Sequence, residues 1–145
     1  MRFEHDVMID RQPDAVFALL TDTHRLAEWQ PTTVEVRRAV DGPLSAGERF
    51  SEVHKAMGRE METTFEVAEY QPGHLFALHA VEGPMLLDGR WELASDGNGG
   101  TRLHFVGEGP VKGPMKLFEG PLTKSLDKRF RGYHQTLKRL VEAGS

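Results

Sequence analysis

Apolar and polar side chains alternate along the first ten residues. Phe3, His5, Val7 and Ile9 share one face, and Glu4, Asp6 and Asp10 fall mostly on the other. A period of two is that of a strand with one buried face. Pro13 then ends the alternation at a place that suits the first turn of a helix, where its missing N–H is not needed. Val16, Phe17, Leu19 and Leu20 supply that helix with an apolar stripe. Thr23 or Asp22 is placed to cap a second short helix running through Trp29, and Pro31 stops it.

From Thr33 to Glu108 the punctuation is that of hairpins. Turn signals recur at Asp41-Gly42-Pro43, Gly58, Gln71-Pro72-Gly73, Glu82-Gly83-Pro84 and Asp96-Gly97-Asn98-Gly99-Gly100. The runs between them, rich in Val, Phe, Thr and Met, predict strands at 33–40, 48–57, 60–70, 74–81, 85–94 and 101–108. Short connections favour antiparallel pairing of successive strands. After an approach rich in Gly and Pro, from Gly107 to Gly120, the period changes. Leu122, Leu126, Phe130, Tyr133, Leu137 and Leu140 recur at spacings of three and four, which predicts a helix over 121–142. Lys128, Arg129, Arg131, Lys138 and Arg139 take its other positions, and Gly144 ends it.

The order is β-α-α followed by the later strands and a closing helix. It reads as one α+β domain over residues 1–145, with a seven-stranded antiparallel sheet and helices on one side. A helix laid on a twisted sheet cannot touch all of it, so a gap opens toward one end. Such gaps bind small molecules. In the Gly107–Gly120 approach, Met115, Leu117 and Phe118 are apolar and need cover, which suggests a lid over that gap.

Composition narrows the function classes. The net charge is -4 and no basic stripe is present, which argues against a nucleic-acid partner. The chain has no cysteine, which excludes disulfides and thiolate chemistry. No apolar run is long enough to span a bilayer, and no leader pattern precedes the first strand, so the expected location is the cytoplasm. The seven histidines show no HExxH, HxH or two-His-one-carboxylate spacing, so neither a metal nor a cofactor is expected. A Gly-x-Ser-x-Gly elbow is absent. Gly107-x-Gly109 lacks the βαβ context of a dinucleotide site.

Strand parity selects the wall of the gap. In the fourth strand Met61, Thr63, Phe65 and Val67 form the inward set. In the sixth, Met85, Leu87, Trp91 and Leu93 share a parity; in the seventh, Leu103 and Phe105 do. The third strand leaves two readings open. With Phe50 inward, Glu52 and His54 also point at an apolar space, where an unpaired carboxylate is costly or shifts its pKa. With the parity reversed, Ser51, Val53 and Met57 face in and Glu52 and His54 are solvated. The closing helix contributes Leu122, Leu126, Phe130 and Tyr133. Met115 and Phe118 are expected from the lid, and Trp29 from the mouth. Tyr133 is a core aromatic in one reading and an orienting donor in the other.

Several landmarks resemble one family: Val7-x-Ile9, Pro13-x-x-Val16-Phe17, Asp22, Trp29-x-Pro31, Gly47-x-x-Phe50, Val67-x-x-Tyr70-x-Pro72, Trp91-x-Leu93, Gly100-Thr101-x-Leu103 and Leu137-x-x-Leu140-Val141-Glu142. Together they resemble the polyketide cyclase/dehydrase and lipid-transport superfamily, also called START-like or SRPBCC. That resemblance implies a helix-grip fold, a hydrophobic or aromatic small-molecule ligand (lipid, quinone or polyketide-like) and often a homodimer. The aromatase/cyclase branch carries an inward arginine near the end of its fourth strand, where this chain has Val67-Ala68-Glu69-Tyr70. Three functions stand side by side: a binding protein for an apolar molecule, a cyclase or dehydratase with Glu52 or His54 as acid/base and Tyr133 orienting, and a protein-interaction module.

Overall fold

The computed structural model describes residues 1–144. Strand β1 (Arg2–Ile9) is followed by α1 (Pro13–Leu20), a 3-10 turn (Thr23–Arg25) and the short α2 (Leu26–Trp29). Then come β2 (Thr33–Arg38), β3 (Arg49–Ala56), β4 (Arg59–Gln71), β5 (Leu75–Glu82), β6 (Asp88–Ser95) and β7 (Thr101–Glu108). A second 3-10 turn (Gly113–Phe118) leads into α3 (Glu119–Gly144). The strands form one seven-stranded antiparallel sheet in the order β1-β7-β6-β5-β4-β3-β2. It is the helix-grip arrangement of a curved sheet around a long C-terminal helix.

Local chemistry accounts for most boundaries. In β1 the expected face, Phe3, His5, Val7 and Ile9, is buried. Pro13 opens α1, and the Asp22 carboxylate caps the next turn by accepting from the His24 N–H at 3.0 Å. Helix α3 begins two residues earlier than its periodicity suggests, because Pro121 lies in the first turn, where no backbone donor is lost. Strand β6 starts at Asp88 and not near residue 85, because the Glu82-Gly83-Pro84 turn carries the chain through Leu87 before pairing resumes. The approach to α3 is more regular than its Gly and Pro content suggests: β7 runs to Glu108 and Gly113–Phe118 forms the 3-10 turn.

Two glycines make room for aromatic rings. Gly89 and Gly107 face each other across β6 and β7. A Cβ on Gly107 would lie 2.5 Å from the Phe3 ring, and one on Gly89 would lie 2.8 Å from Trp91. Any larger residue there must push an aromatic ring out of the core.

Helix α3 packs along β1 and against α1 and α2. Its Leu137 is fully buried, and Val141, Val16, Ile9 and Leu103 complete that end of the core. The far strands bend away: β4 carries bulges between Thr64 and Phe65 and between Val67 and Glu69. The helix therefore packs closely on the β1 end of the sheet, and a cavity remains between its first turns and the strands β3 to β7. Among the described residues no helix is long and apolar enough to cross a membrane.

Candidate functional site: a cavity between the sheet and the last helix

The cavity measures about 420 Å³. Its floor is the concave face of the sheet: Phe50, Glu52 and His54 of β3, Met61, Thr63 and Phe65 of β4, Phe76 and Leu78 of β5, Trp91 of β6 and Phe105 of β7. Its roof is one stripe of α3, where Leu122, Ser125, Leu126, Arg129, Phe130 and Tyr133 recur at helical spacing. Trp29, Gln30, Thr32 and Thr33 close one side, and Met57, Pro84, Met85 and Leu87 stand along the rim.

The wall is mainly aromatic. Phe105 and Phe130 stack with centroids 5.1 Å apart, Trp91 lies 5.0 Å from Phe105, and Phe130 meets Tyr133 edge-on at 5.2 Å. Such offset and edge contacts hold the rings in fixed orientations, so the cavity is shaped before any ligand enters.

The polar groups are few. On β3 the inner face carries Phe50, Glu52 and His54, opposite Phe65, Thr63 and Met61 of β4. The first of the two readings of this strand is the one realised. Glu52 is only 8% exposed. Gln30 Nε2 donates to its Oε1 at 3.4 Å, and Oε2 has no hydrogen-bond partner among the described residues. Burial pushes this carboxyl up to about 7, while the Gln30 amide pulls the other way. His54 is half-buried and lies below its usual value, first because of burial and second because of the Arg129 positive charge. Glu52 and His54 do not bond each other. The Tyr133 hydroxyl is engaged with Thr32 Oγ1 at 2.8 Å, so it reaches neither of them.

Of the residues singled out from sequence, Trp29, Phe50, Glu52, His54, Met61, Thr63, Phe65, Met85, Leu87, Trp91, Phe105, Leu122, Leu126, Phe130 and Tyr133 lie on the wall. Met115 and Phe118 do not. Both are more than half exposed, on the 3-10 turn before α3, and no residue of the Gly107–Gly120 segment lines the cavity. The 3-10 turn leaves Met115, Leu117 and Phe118 exposed to solvent.

Beneath the wall lies a polar chain that sequence reasoning missed. Trp91 Nε1 donates to His134 Nε2 at 2.9 Å, and His134 Nδ1 lies 2.7 Å from His5 Nε2. An indole N–H can only donate, so His134 Nε2 must accept. Neutral His134 then carries its proton on Nδ1 and gives it to His5 Nε2. Neutral His5 carries its own proton on Nδ1, which faces Asp127 Oδ1 at 3.6 Å. Burial, aided by neighbouring His5, lowers His134 to about 3, so the chain is uncharged at neutral pH. A signal existed: His134 falls between Phe130 and Leu137 on the apolar stripe, and His5 sits on the buried face of β1. Gln30 and Arg129 were also missed.

A groove on the opposite face of the sheet is occupied by its own ion pairs, Arg90 with Glu69 and Glu92, and Arg2 with Glu108. Among the described residues no group of three or more His, Asp or Glu side chains is placed to hold a metal ion.

A family model for polyketide cyclase/dehydrase and lipid transport matches residues 1–143. The chain belongs to that family. No curated protein sequence matches it. Among solved structures it is similar to TTHA0849 from Thermus thermophilus, at 19% identity over 100% of this chain and 99% of that one, with a TM-score of 0.82. It is also similar to the di-domain ARO/CYC BexL from the BE-7585A biosynthetic pathway, at 21% identity over 98% of this chain and 46% of that one, TM-score 0.78. CV1439 from Chromobacterium violaceum matches at 18% identity over 98% of both chains, TM-score 0.76. At these identities the likenesses establish the helix-grip fold of the polyketide cyclase/dehydrase and lipid-transport family and do not assign a ligand.

Proposed function

We propose that this member of the polyketide cyclase/dehydrase and lipid-transport family binds an apolar or aromatic small molecule in the cavity under α3. The observation that supports this best is a cavity of about 420 Å³ walled mainly by aromatic and aliphatic side chains, with one free carboxyl oxygen, that of Glu52, on its floor. That size suits a ligand of two or three rings or a medium acyl chain. The test is a fluorescence titration with phenylnaphthylamine, a neutral two-ring dye with an attached phenyl group. A saturable one-to-one isotherm is expected, and the absence of saturable binding overturns the reading.

A second reading rests on Glu52 itself. A carboxyl held near neutrality on an apolar wall is tuned for general acid–base work, as in removing a proton next to a carbonyl and returning it to a departing hydroxyl. Under this reading Glu52 is the acid/base, and His54 sits two residues along the same strand face. Glu52→Gln then abolishes turnover of a polyketide-like substrate while leaving dye binding intact. Turnover surviving in that variant removes the enzymatic reading.

A further inference from the structure

The cavity wall carries cationic side chains that have no ion pair among the described residues. Arg129 stands on the roof one turn after Ser125 and has no ion pair among the described residues, whereas neighbouring Arg131 is held by Asp127. His54 faces the same space from β3 without a hydrogen-bond partner, and Lys55 beside it has no ion pair among the described residues. Besides Glu52, the two carboxylates on the wall, Asp22 and Asp88, each accept a backbone hydrogen bond. Asp22 caps the His24 N–H, and Asp88 accepts from the Ala80 N–H and contacts His79. Arg129 and Lys55 are thus cationic donors on this wall without a carboxylate partner among the described residues.

Deeper on the same strand face is Glu52, with Oε2 free. Residues two apart on a strand are separated by about 7 Å. Glu52 and His54 thus present two polar stations at that spacing, one in the apolar interior and one beside Arg129.

Resting on the reading of the cavity as a binding site, we propose that its ligand is an amphipathic organic acid. Its apolar body lies against Phe65, Trp91, Phe105 and Phe130, an uncharged oxygen meets Glu52, and its anionic group sits between His54 and Arg129. An amine directed at Glu52 shares the cavity with the positive charges of Arg129 and Lys55, which disfavours it. An anion meets donors that have no other partner, and charge-assisted bonds of this kind are stronger than neutral ones. Binding an anion favours protonated His54, and Glu52 is neutral below about pH 7, so both groups make affinity rise as the pH falls.

A matched dye pair tests this. Anilinonaphthalene sulfonate differs from phenylnaphthylamine only in its sulfonate. The sulfonate should bind about tenfold more tightly and displace the neutral dye, with the gap widening from about pH 8 to about pH 6. Arg129→Gln should reduce the preference for the sulfonate over the neutral dye about five- to tenfold. Lys128→Gln, which removes a positive charge from a residue off the cavity wall, should leave that preference unchanged. Equal or weaker binding of the sulfonate, or equal losses in both variants, overturns the anion station and leaves the cavity reading in place. Failure of both dyes to bind overturns the cavity reading and this proposal with it.

Discussion

Replacing Glu52 by Gln separates the charge of this carboxyl from its shape. The folded protein holds the group up at about 7, against a reference of 4.5, because it is buried among apolar side chains with only the Gln30 amide to favour the charged form. Moving a carboxyl that far corresponds to up to about 3 kcal/mol. Between about pH 4.5 and pH 7 the unfolded chain has released a proton that the folded chain keeps, so stability falls as the pH rises through this window and levels off above it. Gln does not titrate. The stability difference between variant and parent should therefore grow by up to about 3 kcal/mol from pH 4 to pH 8, in favour of the variant at the alkaline end. At pH 4 both side chains are neutral and should agree within about 1 kcal/mol. Urea unfolding followed by tryptophan fluorescence suits the measurement, since Trp29 and Trp91 are both buried. Parallel stability curves from pH 4 to pH 8 would refute the reasoning and return Glu52 to a solvated surface.

His134 acts in the opposite sense. Its folded value of about 3 lies below the unfolded reference of 6.5, so stability falls as the pH drops from about 6.5 toward 3. His134→Phe should flatten that acid limb, and at pH 7 it should cost about 1–3 kcal/mol because Trp91 Nε1 and His5 Nε2 lose their partner. An unchanged acid limb in urea unfolding at pH 5 and pH 7 would remove the buried-imidazole argument. Leu137→Ala, at a fully buried position on α3, should cost about 2–5 kcal/mol, and a loss under about 1 kcal/mol would place Leu137 outside the core.

Element order was legible because each signal is local. Pro13 at a helix start, Asp22 at a cap and the Gln71-Pro72-Gly73 turn act through the residues beside them, and alternation in β1 and β7 reports burial directly. The errors occur where a distant contact overrides the local signal. Strand β6 starts late because β5 does not pair with it before Leu78 meets Gly89. The Gly113–Phe118 turn leaves Met115, Leu117 and Phe118 exposed, although their apolarity alone suggested cover.

The same division runs through the cavity. Alternation could place Glu52 and His54 on one face of β3 but left open which face turns inward. Alternation could not supply partners. Whether a buried carboxyl is neutral depends on what approaches it from another element: here Gln30, arriving from the turn after α2, and no cation within bonding distance among the described residues. Arg129 looked like one more charge on the solvated side of α3, because its immediate neighbours on one side, Asp127 and Lys128, are polar. Only the curvature of the sheet brings His54 beneath it. The chain from Trp91 through His134 to His5 joins three elements whose sequence separations are 43 and 129 residues. Each member was readable singly as a buried aromatic or a residue on an apolar face. Their function as a set follows from donor and acceptor direction, which exists only once the strands are paired and the helix is laid across them.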